Sequence, residues 1–312
     1  MTFFQDRRVV VTGPHSMIGG SLCKQLVRLG ANIFPLPHEA YNLLDWDTTF
    51  KSFNNISPDF CFHLASYNGN INFNKEYPET IFYRTAQIGL NVLRACIETK
   101  IKKVCSLISS CSYSPDYPLD EDLFFDGKPH DSVEGHGFAK KMIVEYGRQI
   151  HKQHNIDCIN VCVNHVYGPY DSIDLTKTKV MMALIKKFTD AKHADTEYVE
   201  LWGTGQPKRE FIYVDDVAKY LCLAFEKYND SFKLLNIGSK TEISIKDLAE
   251  LVKKTVGFQG DIRWNGWPDG QNSKLLENHK MKKILGDLEF TPIEEGIQKT
   301  VEWYENFVYN SH

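Results

Sequence analysis

The sequence predicts an α/β fold, a doubly wound parallel sheet with a smaller α/β region toward the carboxyl terminus. Three observations predict it. Short apolar, β-branched runs alternate with stretches of helical periodicity through the first half of the chain. The first of those runs ends in a glycine-bearing turn that opens a helix, and after Tyr167-Gly168-Pro169 the regular rhythm gives way to shorter segments.

Taken in order, Arg8-Val9-Val10-Val11-Thr12-Gly13 reads as a buried strand. Leu22, Leu26 and Leu29 then recur at helical spacing until Gly30 stops the helix, and Ala31 to Leu36 begins the next strand. Phe60 to Ala65, Val104 to Ile108 and Ile159 to Val163 are further strands, separated by helices near 79 to 99 and 134 to 154. Beyond Pro169 come a polar segment, a short helix over Val180 to Phe188 and the loop Leu201-Trp202-Gly203-Thr204-Gly205. Phe211 to Tyr228 is expected to return to the first domain. The expected division is therefore 1–165, rejoined by about 209–236, for a dinucleotide, and 166–208 with 237–312 for a second ligand.

A chain of 312 residues with 42% hydrophobic content can bury a large core. A formal charge of -4, with acids and bases mixed, leaves no basic stripe for nucleic acid. No apolar run is long enough for a bilayer, and Met1 to Arg8 lead straight into a strand, so a cytoplasmic protein without membrane contact is expected. Most of the eight cysteines fall in core-like runs without metal-finger spacing, so no metal site is expected, and Cys111 stands apart as a candidate reactive thiol.

Gly13-Pro14-His15-Ser16-Met17-Ile18-Gly19 joins the first strand to the first helix, where bare backbone and the positive helix end favour a pyrophosphate. The second strand ends at Leu36-Pro37-His38 with neither an acidic ribose anchor nor an arginine, so His15 and His38 are the candidates for an adenosine 2′-phosphate. Asp45 is a candidate for the adenine amino group or, alternatively, a helix cap. Ser109 ends a central strand, and His136 and Lys140 stand four apart on one helix face. A hydroxyl to hold a carbonyl oxygen, a proton donor and a cation are what carbonyl reduction needs. The alternative is a surface histidine on a solvated helix face.

These residues together resemble the extended short-chain dehydrogenase/reductase superfamily and, within it, the GDP-L-fucose synthases. The marks are Gly13 to Gly19, Asn42-Leu43-Leu44-Asp45, Ser109-Ser110-Cys111, Ala139-Lys140, Val166-Tyr167-Gly168-Pro169, Trp202-Gly203-Thr204-Gly205, Arg209-Glu210-Phe211 and Pro268-Asp269-Gly270. The resemblance implies a Rossmann sheet binding NADP(H), with NAD(H) left open, in which Leu64, Ala65 and Lys140 join the glycine turn around the cofactor. It implies a GDP-linked 4-keto sugar held by Ser110, His165, Lys179, Trp202, Arg209 and Asp269. It further implies a homodimer through the helices at 79–99 and 134–154, for which Ile81, Ile88, Val92, Ile143 and Val144 are apolar candidates that could equally face the parent sheet.

The chain departs from that pattern at three positions. His136 stands where the family carries its tyrosine, Lys179 where it carries the histidine that works with Cys111 in epimerisation, and His165 where it carries asparagine. Neutral imidazole can still donate or relay a proton, whereas lysine is a weaker acid than imidazolium, so reduction is expected to survive better than C3/C5 epimerisation. Three readings follow: a C4 reductase of a GDP-4-keto sugar, a dehydrogenase or 4-epimerase of the same fold, and a non-catalytic nucleotide-sugar-binding protein.

Overall fold

The computed structural model describes residues 2–174, 178–267 and 273–309. Its first half alternates β1 (Arg8–Thr12), α1 (Met17–Arg28), β2 (Asn32–Leu36), α2 (Trp46–Ile56), β3 (Phe60–His63), α3 (Ile71–Glu76), α4 (Pro78–Glu98), β4 (Lys103–Ser109), α5 (Glu134–His154) and β5 (Asp157–Val163). The second half holds β6 (Val166–Tyr167), α6 (Val180–His193), β7 (Tyr198–Leu201), β8 (Lys208–Glu210), β9 (Ile212–Tyr213), α7 (Val214–Lys227) and β10 (Leu234–Ile237). It closes with β11 (Glu242–Ser244), α8 (Ile245–Val256), β12 (Asp261–Trp264), α9 (His279–Leu285) and α10 (Ile293–Val308).

Six parallel strands form the main sheet in the order β10-β5-β4-β3-β1-β2. Val9, Val10 and Val11 of β1 are wholly buried, as a central strand covered on both faces requires. The chain runs from β1 outward to β2 and then returns to β3 on the other side of β1. That reversal is the switch point at which an open α/β sheet leaves a crevice at its carboxyl edge, here between the loops after β1 and β3.

The helices follow from local signals. Leu22 and Leu26 bury one stripe of α1, and Gly30 takes φ +81° just past its end. Asp45 caps α2 by accepting the Thr48 N–H at 2.8 Å, which is the structural alternative to an adenine contact. Helix α6 outruns the expected segment and reaches His193, because Thr189 and Ala191 continue its buried stripe. The remaining strands form three small pairs, β8 with β11, β7 with β12 and β6 with β9.

The structure corrects the residues expected at a homodimer face. Ile81, Val92, Ile143 and Val144 are at most 1% exposed, and Ile88 packs partly buried against the same core. The first four are covered by the chain itself, and only Ile88 is left partly open. The exposed large apolar residues on α4 and α5 are instead Phe82, Tyr83 and Phe138. Among the described residues no helix is long and apolar enough to cross a membrane.

Candidate active site

The glycine turn is shaped by backbone approach. Gly13 holds φ +68°, and a Cβ there would stand 3.1 Å from the Ala65 amide nitrogen. A Cβ on Gly19 would come within 2.1 Å of the Gly13 carbonyl oxygen, so α1 can begin this close to the turn only with glycine. Ser16 caps α1 by accepting the Gly19 N–H at 3.1 Å and donating to the Gly13 carbonyl at 2.8 Å. Thr12 Oγ1 accepts the amides of Leu64 and Ala65, each at 3.1 Å, and thereby ties the loop after β3 to the end of β1. Bare glycine backbone, a twelve-residue helix pointing its amino end at the crevice and the absence of a blocking Cβ fit the phosphates of a dinucleotide.

At the outer end of this crevice His15 and His38 both turn to Glu39, with nitrogen–oxygen distances of 3.2 Å and 3.3 Å. Glu39 was not anticipated: it lies just past the second strand and brings a carboxylate to the place expected to hold only histidines. Its own backbone and the two histidines lower its pKa.

Across β3, Ser109 ends β4 and its hydroxyl accepts the Cys111 N–H at 3.3 Å, starting a tight turn over Ser110–Ser112. Helix α5 crosses this turn closely because glycines flank His136. A Cβ on Gly135 would lie 2.4 Å from the Pro78 carbonyl oxygen, and one on Gly137 would lie 2.9 Å from that of Cys111. His136 is therefore pinned inside the crevice, 3% exposed, and the surface alternative is excluded. Its Nε2 lies 3.2 Å from Ser66 Oγ, and its Nδ1 is buried with no hydrogen-bond partner.

One turn further, Lys140 is equally buried and donates to the Leu107 carbonyl at 2.9 Å. Burial lowers its pKa to about 8. Burial, followed by the charges of Lys140, Lys179 and Lys274, depresses His136 to about 3, so the imidazole is neutral at physiological pH. His63 at the end of β3 behaves alike: burial and then Lys140 take it to about 3, its Nδ1 meets Thr12 Oγ1 at 3.0 Å, and its Nε2 is orphaned.

Burial alone would raise the Cys111 thiol, but Lys274, Ser109 and Lys179 outweigh it and the pKa falls. Lys274 Nζ reaches Cys111 Sγ at 3.4 Å. The Lys274 loop is held by Asn164, whose amide donates to the Lys274 carbonyl at 2.6 Å while its oxygen accepts from Ser110 at 2.8 Å. His165 lies within the same field: burial first, then Lys274, Arg209 and Lys179, push it well below its ordinary range.

The structure thus brings Ser109, Ser110, Cys111, His136, Lys140, Lys179 and His165 into one electrostatic neighbourhood, with Arg209 at its margin. Glu210 beside Arg209 is a fully buried anchor that accepts the Lys240 N–H at 2.7 Å. Trp202 is 59% exposed rather than core, and faces Trp267 at 5.4 Å along a groove of about 260 Å³ lined also by Lys187 and Asn265. Asp269 lies outside the described residues. Sequence reasoning missed Lys274, Asn164, His63, Ser66 and Glu39. A polar residue closing an otherwise apolar strand was a signal for His63, and its counterpart just beyond β5 a signal for Asn164; Ser66 carried none.

A glycine turn at the switch point, with Ser109 at the end of β4 facing buried His136 and Lys140 on α5, defines a nucleotide-dependent carbonyl or sugar enzyme class. The chain belongs to the NAD dependent epimerase/dehydratase family, whose sequence profile matches residues 9–238. It is 32% identical to the GDP-L-fucose synthase of Dictyostelium discoideum, over 96% of this chain and 95% of that one. The fold superposes with a TM-score of 0.90 on a GDP-L-fucose synthetase from Naegleria fowleri bound to NADP, 25% identical, covering 99% of this chain and 96% of that one. A GDP-6-OMe-4-keto-L-xylo-heptose reductase from C. jejuni has the same fold, with a TM-score of 0.90 at 23% identity over 97% of this chain and 98% of that one.

Proposed function

We propose that the chain is an NADPH-dependent C4 reductase of a GDP-linked 4-keto sugar, a 6-deoxyhexose or a heptose, with C3/C5 epimerisation slowed or lost. The observation that carries this reading is the burial of His136 and Lys140 beside the turn that follows Ser109, at the sheet edge shared with the glycine turn. Support for the sugar and for NADPH comes from the relatives, a GDP-L-fucose synthase and a GDP-L-fucose synthetase bound to NADP.

When bound, reduced nicotinamide supplies hydride to a carbonyl carbon. Everything else falls to the chain. Ser109 holds the ketone oxygen, Lys140 places a cation beside the developing alkoxide, and neutral His136 passes a proton through its N–H. A lowered thiol keeps Cys111 competent as a base toward an acidic carbon, but the residue proposed to answer it is Lys179, a poorer proton donor than the histidine it replaces. Trp202 and Arg209 are assigned to the GDP-sugar, an indole face for a ring and a guanidinium for the diphosphate. The exposed Phe82, Tyr83 and Phe138 are the surface on which a homodimer through α4 and α5 would rest.

The same neutral His136 admits a second reading, oxidation of a C4 hydroxyl, because a proton acceptor must start unprotonated, although a pKa held near 3 makes it a weak base. The deciding experiment mixes purified protein, NADPH or NADH and freshly generated GDP-4-keto sugars, and follows cofactor absorbance and product NMR. Oxidation of NADPH with C3 and C5 unchanged is expected. Turnover only with NADP+ and a C4 alcohol selects the dehydrogenase, and cofactor binding without turnover in either direction leaves a binding protein.

A further inference from the structure

We propose that Ser66 is the residue that hands the proton to the ketone oxygen, with His136 behind it as the relay. The inference rests on the reductase reading above. His136 Nε2 lies 3.2 Å from Ser66 Oγ, and the rest of the ring is buried with Nδ1 unpartnered. Ser66 is only partly buried and follows β3, the strand that lies between β1 with its glycine turn and β4 with Ser109. Its neighbour Ala65 is pinned by the Thr12 hydroxyl and pressed against Gly13, so the Ser66 hydroxyl is set at the boundary of the cofactor turn and the Ser109 turn. His136 is the buried partner of this pair and Ser66 the partly exposed one.

The step balances as follows. The carbonyl carbon receives hydride from reduced nicotinamide, the carbonyl oxygen takes the Ser66 Oγ proton, Ser66 takes the proton of His136 Nε2, and His136 is reprotonated at Nδ1 from solvent. Ser66 ends with the proton it began with, while His136 ends as its Nδ1–H tautomer and returns to the Nε2–H form by proton exchange with water before the next turnover, so neither a serine alkoxide nor an imidazolate accumulates. A buried, unpartnered Nδ1 is the atom at which such a chain needs a water.

Two measurements test the relay. In steady-state kinetics with NADPH and a GDP-4-keto sugar, Ser66→Ala is expected to lower kcat by about 100-fold, the loss typical of a removed proton-transfer group, while KM for both ligands holds and Ser66→Thr restores most of the rate. In the protein without ligands, nitrogen-15 NMR of the His136 ring is expected to find the proton on Nε2 in the wild type and in Ser66→Thr. A wild-type rate in Ser66→Ala, a Ser66→Thr enzyme as slow as the alanine variant, or a proton found on Nδ1 each overturns the relay and leaves the reductase reading standing. Wild-type protein that turns over no 4-keto sugar overturns both.

Discussion

The glycine turn after β1 and the Ser109–His136–Lys140 cluster sit on the same edge of one sheet, yet they are built in different ways. The turn is contiguous chain, and its shape is set by absent side chains: Gly13 and Gly19 are where a Cβ would strike Ala65 and the Gly13 carbonyl. The cluster is gathered from the ends of β3, β4 and β5, from α5 and from the Lys274 loop, and its chemistry is set by desolvation. Lys140, His63 and His136 are buried, with His165 and Lys274 partly buried and Lys179 exposed at the rim, and in that space Lys140 falls to about 8 and His136 to about 3. The contrast teaches that a phosphate cradle can be made locally and tolerates water, whereas a site that tunes proton affinity needs the whole fold to exclude it.

The largest way to break the comparison is acid. His63 and His136 are held near 3 in the folded chain but return to the ordinary histidine range, about 6.5, when it unfolds. Below that range the unfolded chain takes up protons that the native state refuses, so stability is lost as pH falls from about 6.5 toward about 3. At about 1.4 kcal/mol per unit and group, the two together cost several kcal/mol. Urea unfolding at a series of pH values should show the decline, and His136→Phe should reduce it by about half. A pH-independent midpoint over that window would mean the imidazoles are wet.

Next comes the cluster's chemistry. Ser109→Ala is expected to cut the rate of NADPH oxidation by about 100- to 1000-fold, as the loss of an oxyanion donor does, without changing cofactor affinity measured by fluorescence. If His136→Ala retains full activity while Ser109→Ala is dead, His136 has no part in the proton path.

Gly19→Ala attacks the turn instead. The added methyl has the Gly13 carbonyl in its way, so a loss of about 2 kcal/mol in stability is expected, together with weakened cofactor binding, by thermal melting with and without NADPH. A fully stable variant would show that α1 can shift without harm.

Lys274→Met sharpens the electrostatic half. Without the ammonium 3.4 Å from Cys111, the thiol pKa should rise, read as a shift to higher pH in its alkylation rate. Unchanged alkylation would assign the lowered thiol to Ser109 and Lys179. The smallest effect is expected at Glu39→Gln. Removing a carboxylate held between His15 and His38 should tighten NADPH binding a few-fold and leave NADH untouched, by titration at constant salt.

Much of this architecture was legible before any coordinates. Alternating apolar runs announced the parallel strands, Gly13 to Gly19 announced the turn, and the four-residue spacing of His136 and Lys140 placed both on one face of α5. The homodimer residues failed because periodicity marks an apolar stripe but does not say what covers it, and Ile81, Val92, Ile143 and Val144 turned out to be covered by the chain's own core. The sequence placed Trp202 in a glycine-rich loop but gave no sign of its groove with Trp267, which forms only once β7 and β12 lie side by side.

The sequence by itself determined the sheet, its carboxyl-edge turn and the residue types available for proton transfer, because strand period, helix period and glycine backbone freedom are properties of neighbouring residues. Only the tertiary structure decided that Ser66 meets His136, that Lys274 meets Cys111 and that Glu39 meets two histidines. Apart from His38 and Glu39, which are neighbours, those pairs join residues far apart in the chain, and around His136 and Cys111 the burial that shapes their charge is a sum over every segment that packs there.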